Sequence, residues 1–438
     1  MVRSAARIAA ATLVTAAAVS GSIVTATHAN AGTTDPFYTY TGSKPLASYA
    51  PGAVLKTRTL NYHVLGIPTP VKAVQLLYRS TDAQGRPAAN VTSVLTPLGS
   101  GNGKAVSYQS FYDSLNPADS PSRTIAGDLT FGGIEMNVEG IFVAPLLAQG
   151  YTVVVPDTEG QQADFVAGPE YATNTLDSIR AASASSDTGM STSTKVGLLG
   201  YSGGAIATNW AASLAPKYAP DVNKRLVGYA EGGLLVDPLH NLSYVAGSIG
   251  WAGIAPMAVV GAARAYGLDM SPYLSDYGKQ VAAKMQNASI NNVLFQYPGL
   301  NWQKLVKPQY ADPTSIPVFV DTVNKLNLGS QPTPTIPGFI GQGANGILEG
   351  TTGNKPGIGA GDGVMIAGDV RTLARQYCST GAPAVKYTQY NLTSHVPTVP
   401  LWAPTALGYL NDRFAGKTAP SDCGHIPAGN PLTPATVS

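Results

Sequence analysis

The stretch Gly200-Tyr201-Ser202-Gly203-Gly204 decides how the rest of this chain is read. Before it, Lys195-Val196-Gly197-Leu198-Leu199 is a short apolar run of the kind that forms a buried strand. After it, the alanine-rich run from Ala205 to Leu214 predicts a helix. A G-x-S-x-G pentapeptide alone is weak in a chain with 48 glycines. Between a strand and a helix it predicts a sharp turn that lifts the serine hydroxyl clear of the sheet. Glycine suits positions 200 and 204 because a Cβ there would crowd the neighbouring strand or helix. The helix also begins with unpaired N–H groups, which favour negative charge beside Ser202.

Working outward, the same rhythm recurs. Lys72–Ser80 and Asn90–Leu95 read as paired strands, with turn chemistry in Asp82–Pro87. Lys104–Phe111 is the next strand and opens into a polar loop at Tyr112-Asp113-Ser114. Met136–Gln149 predicts a helix stopped by Gly150. Tyr151–Val155 is a buried strand, Thr173–Ala184 a helix, and Arg225–Gly233 the strand after the Ser202 turn. Alternation of this kind predicts an α/β fold with a largely parallel sheet. The rhythm lapses over residues 236–328 and returns with a strand at Pro337–Gln342, a helix at Val370–Tyr377 and a strand at Ala384–Tyr390. Pro404–Phe414 predicts the closing helix, with Pro404 in its first turn. Residues 32–235 and 329–438 therefore read as one body, and 236–328 as an apolar helical cap inserted in it. Leu242–Ala263 carries no charge, but its glycines and Pro256 argue against a membrane span.

Serine is a weak nucleophile until a base takes its proton, and the usual base is a histidine oriented by a carboxylate. When the serine lies on a strand–turn–helix elbow, the partners follow it in the order acid, then histidine. Only five histidines exist. His28 belongs to the N-terminal segment, His63 precedes Ser202, and His240 comes before the second half of the sheet. His395, in a loop after the last strand, is the best placed, and His425 in the tail is second. The acid should follow the strand at 337–342. Asp362, at the end of a glycine-rich loop, is preferred over Glu349 and Asp369. Negative charge on a reacting carbonyl needs two backbone donors. Gly203 supplies one and the loop after the strand at 104–111, at Asp113, the other.

Composition bounds the setting. The 438 residues are 44% hydrophobic and only 12% charged, so a sizeable core is available and no basic patch invites nucleic acid. Arg3 and Arg7, the apolar run Ile8–Val24 and Ala29-Asn30-Ala31 predict a secretory signal over residues 1–31. Its loss takes the formal charge from +2 to 0. In an exported chain Cys378 and Cys423 are expected to pair. Neither has the C-x-x-C neighbour of a zinc site, so no metal is expected.

Three segments together carry a resemblance: Val155-Pro156-Asp157-Thr158-Glu159-Gly160, Gly200–Gly204 and Ala215-Pro216-Lys217-Tyr218-Ala219-Pro220. The chain resembles the secretory lipase family typified by Candida antarctica lipase A, from about residue 35 to 425. The resemblance implies an α/β-hydrolase fold with a mostly parallel central sheet and an inserted helical cap. It implies an ester hydrolase that needs no cofactor, with Ser202, Asp362 and His395 as its triad and Asp113 and Gly203 at its oxyanion site. A disulfide around the histidine loop, here Cys378 with Cys423, is also a family feature. The second cysteine pair of fungal members is absent, and the loop Gly343–Gly361 is longer and richer in glycine. Asp157 and Glu159 read as buried structural carboxylates. The expectation is a secreted, monomeric lipase acting on acylglycerols or other carboxylic esters, its cap touching a lipid surface in passing. The alternatives are a short-chain or polyester esterase, an acyltransferase, or a non-catalytic binding protein on the same scaffold.

Overall fold

Among the described residues, nine strands make a single sheet: β1 Val54–Val64, β2 Ile67–Thr81, β3 Pro87–Leu95, β4 Ala105–Gln109, β5 Thr152–Pro156, β6 Val196–Tyr201, β7 Leu226–Gly232, β8 Gly338–Gly343 and β9 Val385–Tyr390. The structure, a computed structural model, describes residues 35–438, so the predicted signal over 1–31 lies outside the described residues. The sheet order is β1-β2-β3-β5-β4-β6-β7-β8-β9. β1, β2, β3 and β5 pair antiparallel, and every pair from β5 to β9 is parallel. Adjacent residues of one strand face opposite sides. Leu198, Val154 and Ala105 pack with the helices Gly168–Ala184, Gly203–Tyr218 and Ala367–Ser379. Leu199, Val153 and Val106 pack on the other side with Gly140–Ala148 and His395–Phe414. Both faces are therefore covered, as a parallel sheet requires.

Four expectations change. The sequence pattern assigns no element before Lys72, yet Val54–Val64 forms β1, whose partner β2 supplies its hydrogen bonds. β2 starts at Ile67, ahead of the predicted Lys72, and tolerates Pro68 and Pro70 because β3 pairs with it only from Ala73 on. The helix predicted over 136–149 is two helices, Ile134–Val138 and Gly140–Ala148, which meet at Glu139 and Gly140. The closing helix starts at His395 itself, so Pro400 and Pro404 are interior. His395 is thus the first residue of a helix and not a loop residue.

Between β7 and β8 the chain is helical, with Pro238–Val245, Ile254–Tyr266, Asp276–Met285 and Pro317–Lys325 as its longer pieces. The uncharged run Leu242–Ala263 is split between the first two by a turn rich in glycine. No helix among the described residues is long and apolar enough to cross a membrane. Two features fasten this segment. The Arg264 guanidinium donates to the carbonyls of Leu115, Gln162 and Ala163. The tail runs back across it: Asn324 and Ala435 bond each other twice, and the Ser438 N–H reaches the Thr314 carbonyl. Upstream, the tail is bonded to the helix Ala367–Ser379 by the disulfide Cys378–Cys423.

The disulfide spans a sequence separation of 45. Closing a loop of that size restricts the unfolded chain by about 3–4 kcal/mol. Replacing both cysteines with serine should lower the free energy of urea unfolding by about that much. An unchanged midpoint would show that the bridge contributes nothing.

Candidate functional site

The turn at Ser202 is as tight as its glycines suggest. Ser202 has φ 54° and ψ −122°, a region that non-glycine residues rarely enter. Its N–H is held by the Gly232 carbonyl at 2.8 Å. A Cβ on Gly200 would lie 2.1 Å from the Gly204 carbonyl oxygen, and one on Gly204 would lie 2.1 Å from that of Gln109 on β4. The helix Gly203–Tyr218 can start this close to β4 and β6 only because both positions lack a side chain.

The parallel strands bring distant residues to one edge. His395 Nε2 lies 2.8 Å from Ser202 Oγ, and His395 Nδ1 lies 2.8 Å from Asp362 Oδ2. A carboxylate only accepts, so Nδ1 carries the hydrogen and Nε2 offers its lone pair to the serine hydroxyl. Asp362 is fully buried and saturated with donors. Its Oδ1 accepts from the N–H groups of Val364 and Met365, and its Oδ2 also accepts from Gln342 Nε2 at the end of β8. The Asp362 carbonyl accepts from the His395 N–H at 2.7 Å. The imidazole lies between two aromatic rings, Tyr201 at 5.2 Å and Trp251 edge-on at 5.4 Å. Burial opposes protonation of His395, but the negative charge of Asp362, with smaller effects from Glu349 and Asp113, outweighs it and holds the pKa above the ordinary value.

The other candidates have other hydrogen-bond partners. Glu349 accepts from Trp251 Nε1 at 2.7 Å and from the Val396 N–H at 2.9 Å. Asp369 pairs with His240 at 3.1 Å and with Asn430. His63 Nδ1 lies 3.2 Å from the Ile125 carbonyl, and His425 is in the tail. His28 lies outside the described residues. Among the described residues no three His, Cys, Asp or Glu side chains are gathered as metal ligands.

Asp113 and Gly203 do meet, though not through the expected N–H. The Asp113 N–H donates to the Phe111 carbonyl at 2.8 Å, closing a three-residue turn. Its carboxyl instead lies over Gly203, where a Cβ would be 1.8 Å from Oδ1. Burial pushes the Asp113 pKa up to about 7, with His395 pulling the other way. The loop is tied down by more buried acids. Glu139 accepts from Ser110 and the Phe111 N–H, Glu159 from the Ser114 N–H, and Asp119 from the Ser114 hydroxyl. Asp157 and Glu159 are almost fully buried, as structural carboxylates would be.

Ser202 and Asp113 open on a cavity of about 970 Å³, measured out to solvent. Its walls are apolar and include Ile206, Leu242, Val259, Met270 and Phe319. Most come from the helical segment between β7 and β8. Sequence pattern did not reveal Trp251, Gln342 or the contacts of Glu349, since each acts through a partner more than eighteen residues away.

A mostly parallel sheet of this order, with its turn serine directly after β6, defines an α/β-hydrolase. Residues 126–422 match the profile of the family described as Secretory lipase, and the chain belongs to that family. Lipase 4 of Candida albicans is 31% identical over 404 residues, covering 90% of this chain and 83% of the relative. A Mycobacterium tuberculosis protein described as a probable inactive lipase is 32% identical over 393 residues, 87% of this chain and 82% of its own. Candida antarctica lipase A in its closed state superposes with a TM-score of 0.78 at 25% identity, over 91% of this chain and 90% of that one.

Asp113 carries a pH signature. Its folded pKa lies above the unfolded value near 4, so the stability it permits is full at acid pH and is lost as pH rises towards about 7. Asp113→Asn should therefore gain thermal stability relative to the parent between pH 4 and pH 7, and the difference should level off above that. Melting curves that stay parallel across this range would show that the carboxyl titrates normally.

Proposed function

We propose that the protein is a secreted serine ester hydrolase, a lipase that cleaves acylglycerols or related carboxylic esters through an acyl-enzyme. The observation that carries this reading is the unbroken chain Ser202 Oγ, His395, Asp362, with 2.8 Å at each link. His395 takes the Ser202 proton as Oγ attacks the ester carbonyl. Asp362 fixes the tautomer and stabilises the imidazolium that forms. His395 then protonates the leaving alcohol, and a water activated by the same imidazole releases the acid.

The oxyanion is held by the N–H of Gly203 and the N–H of Asp113, the latter leaving the Phe111 carbonyl as the oxyanion forms. An ionised carboxyl over Gly203 would repel that charge, so the reaction needs Asp113 neutral. The elevated Asp113 pKa supports this. The apolar cavity suits an acyl chain, with residues 236–328 as its cap. Ile249, Phe295, Ile347 and Leu348 are more than half exposed and favour passing contact with a lipid surface. The disulfide and the predicted signal support export, and nothing in the reading calls for a second subunit.

The relative described as inactive gives weight to one rival, a binding protein on an inactive scaffold. A fluorophosphonate probe separates the two. It should label the parent and leave Ser202→Ala unlabelled, and that variant should lose ester turnover by at least about a thousand-fold while keeping its fold. A parent that resists labelling would favour the binding protein. A p-nitrophenyl ester series should give higher kcat/KM for medium chains than for acetate, and the opposite order would make this an esterase of short acids. On the alkaline side, the parent should lose activity as Asp113 ionises, and Asp113→Asn should remove that limb.

A further inference from the structure

Glu349 is outside the Ser202–His395–Asp362 chain, yet each of its hydrogen bonds ends on a neighbour of His395. It ends the short turn Gly346–Glu349, which follows β8. One carboxylate oxygen accepts from Trp251 Nε1 at 2.7 Å, and Trp251 is the ring that stands edge-on to the imidazole. The other accepts from the Val396 N–H at 2.9 Å, the second amide of the helix that His395 begins.

That helix lacks the usual help at its start. Ser394 is in the capping position, but its side chain makes no cap hydrogen bond, and its buried hydroxyl has no partner among the described residues. The first two amides are satisfied from outside, His395 by the Asp362 carbonyl and Val396 by Glu349. Room for this is left at Gly363, next to Asp362. A Cβ there would lie 2.9 Å from Glu349 Oε2 and 3.0 Å from Trp251 Nε1. The backbone tightens the same joint, with the Ile249 N–H donating to the Gly350 carbonyl.

We propose that Glu349 is a positioning residue for His395: one carboxylate pins both the ring beside the imidazole and the helix end that carries it. The proposal rests on His395 being the base for Ser202. Two donors converge on Glu349, so the site needs two acceptor oxygens, which a carboxylate has and an amide lacks. The negative charge also sits at a helix N-terminus and acts on the imidazolium. The charged groups acting on His395 are Asp362, Glu349 and Asp113, and all three favour its protonation.

Geometry and charge can be tested apart. Glu349→Gln keeps one acceptor, turns its NH2 towards a donor and loses the charge. It should lower kcat about ten- to a hundred-fold with little change in KM, since small misplacements of a reacting group cost that much. The acid limb of its kcat/KM profile should move to lower pH. Trp251→Phe removes one donor and keeps the charge, so it should leave the limb in place. In the double variant the amide oxygen is free for Val396, so part of the kcat lost in Glu349→Gln should return while the limb stays shifted. Parent kcat and an unmoved limb in Glu349→Gln would overturn the proposal, as would a lower melting temperature with neither kinetic change. Should Ser202→Ala keep its ester turnover, the reading of the site itself would have failed, and that result is distinct from either outcome for Glu349.

Discussion

The hydrogen bond between His395 and Ser202 depends on the ends of three parallel strands. Residues 202, 362 and 395 follow β6, β8 and β9, and parallel strands end on the same edge. Loops leaving that edge therefore converge, and side chains nearly two hundred positions apart come within 2.8 Å. The approach is possible because Gly200 and Gly204 let a helix start against two strands, which leaves Ser202 in an uncommon backbone conformation. The strain is local and is sustained by the packed sheet on both sides.

The buried acids around the loop Ser110–Leu115 show a second constraint. Glu139, Glu159 and Asp119 each accept hydrogen bonds from this loop. Burial raises the pKa of all three. Such groups tolerate burial because the backbone amides and hydroxyls around them replace water. They fix a loop that contains no helix or strand of its own. Asp113 is the exception: it lines the cavity, and its carboxyl lies over Gly203 instead of bonding the scaffold.

Much of this was legible in the sequence, for stated reasons. The central strands are short apolar runs, and the turn at Ser202 has a sequence signature set by sterics. Scarcity singled out His395. Edges and interruptions were harder to read. β1 is polar and alternating, and is recognisable only once β2 pairs with it. The break at Glu139 and Gly140 follows from a carboxylate turned inward to bond Ser110 and Phe111. The start of the last helix was hidden by prolines, which usually mark boundaries but here lie inside it. Glu349 looked like a rival to Asp362 for the same histidine nitrogen. Its true partners, an indole and an amide, leave no trace in local spacing because tertiary packing alone selects them.

The tail that crosses the segment between β7 and β8 has a mechanical consequence. Asn324 and Thr314 are tethered to the last ten residues, and Arg264 grips the opposite side through three carbonyls. A wholesale hinge motion of that segment would have to break both attachments together. The segment is thus clamped along two separate edges, and displacing it as a unit costs both sets of hydrogen bonds at once.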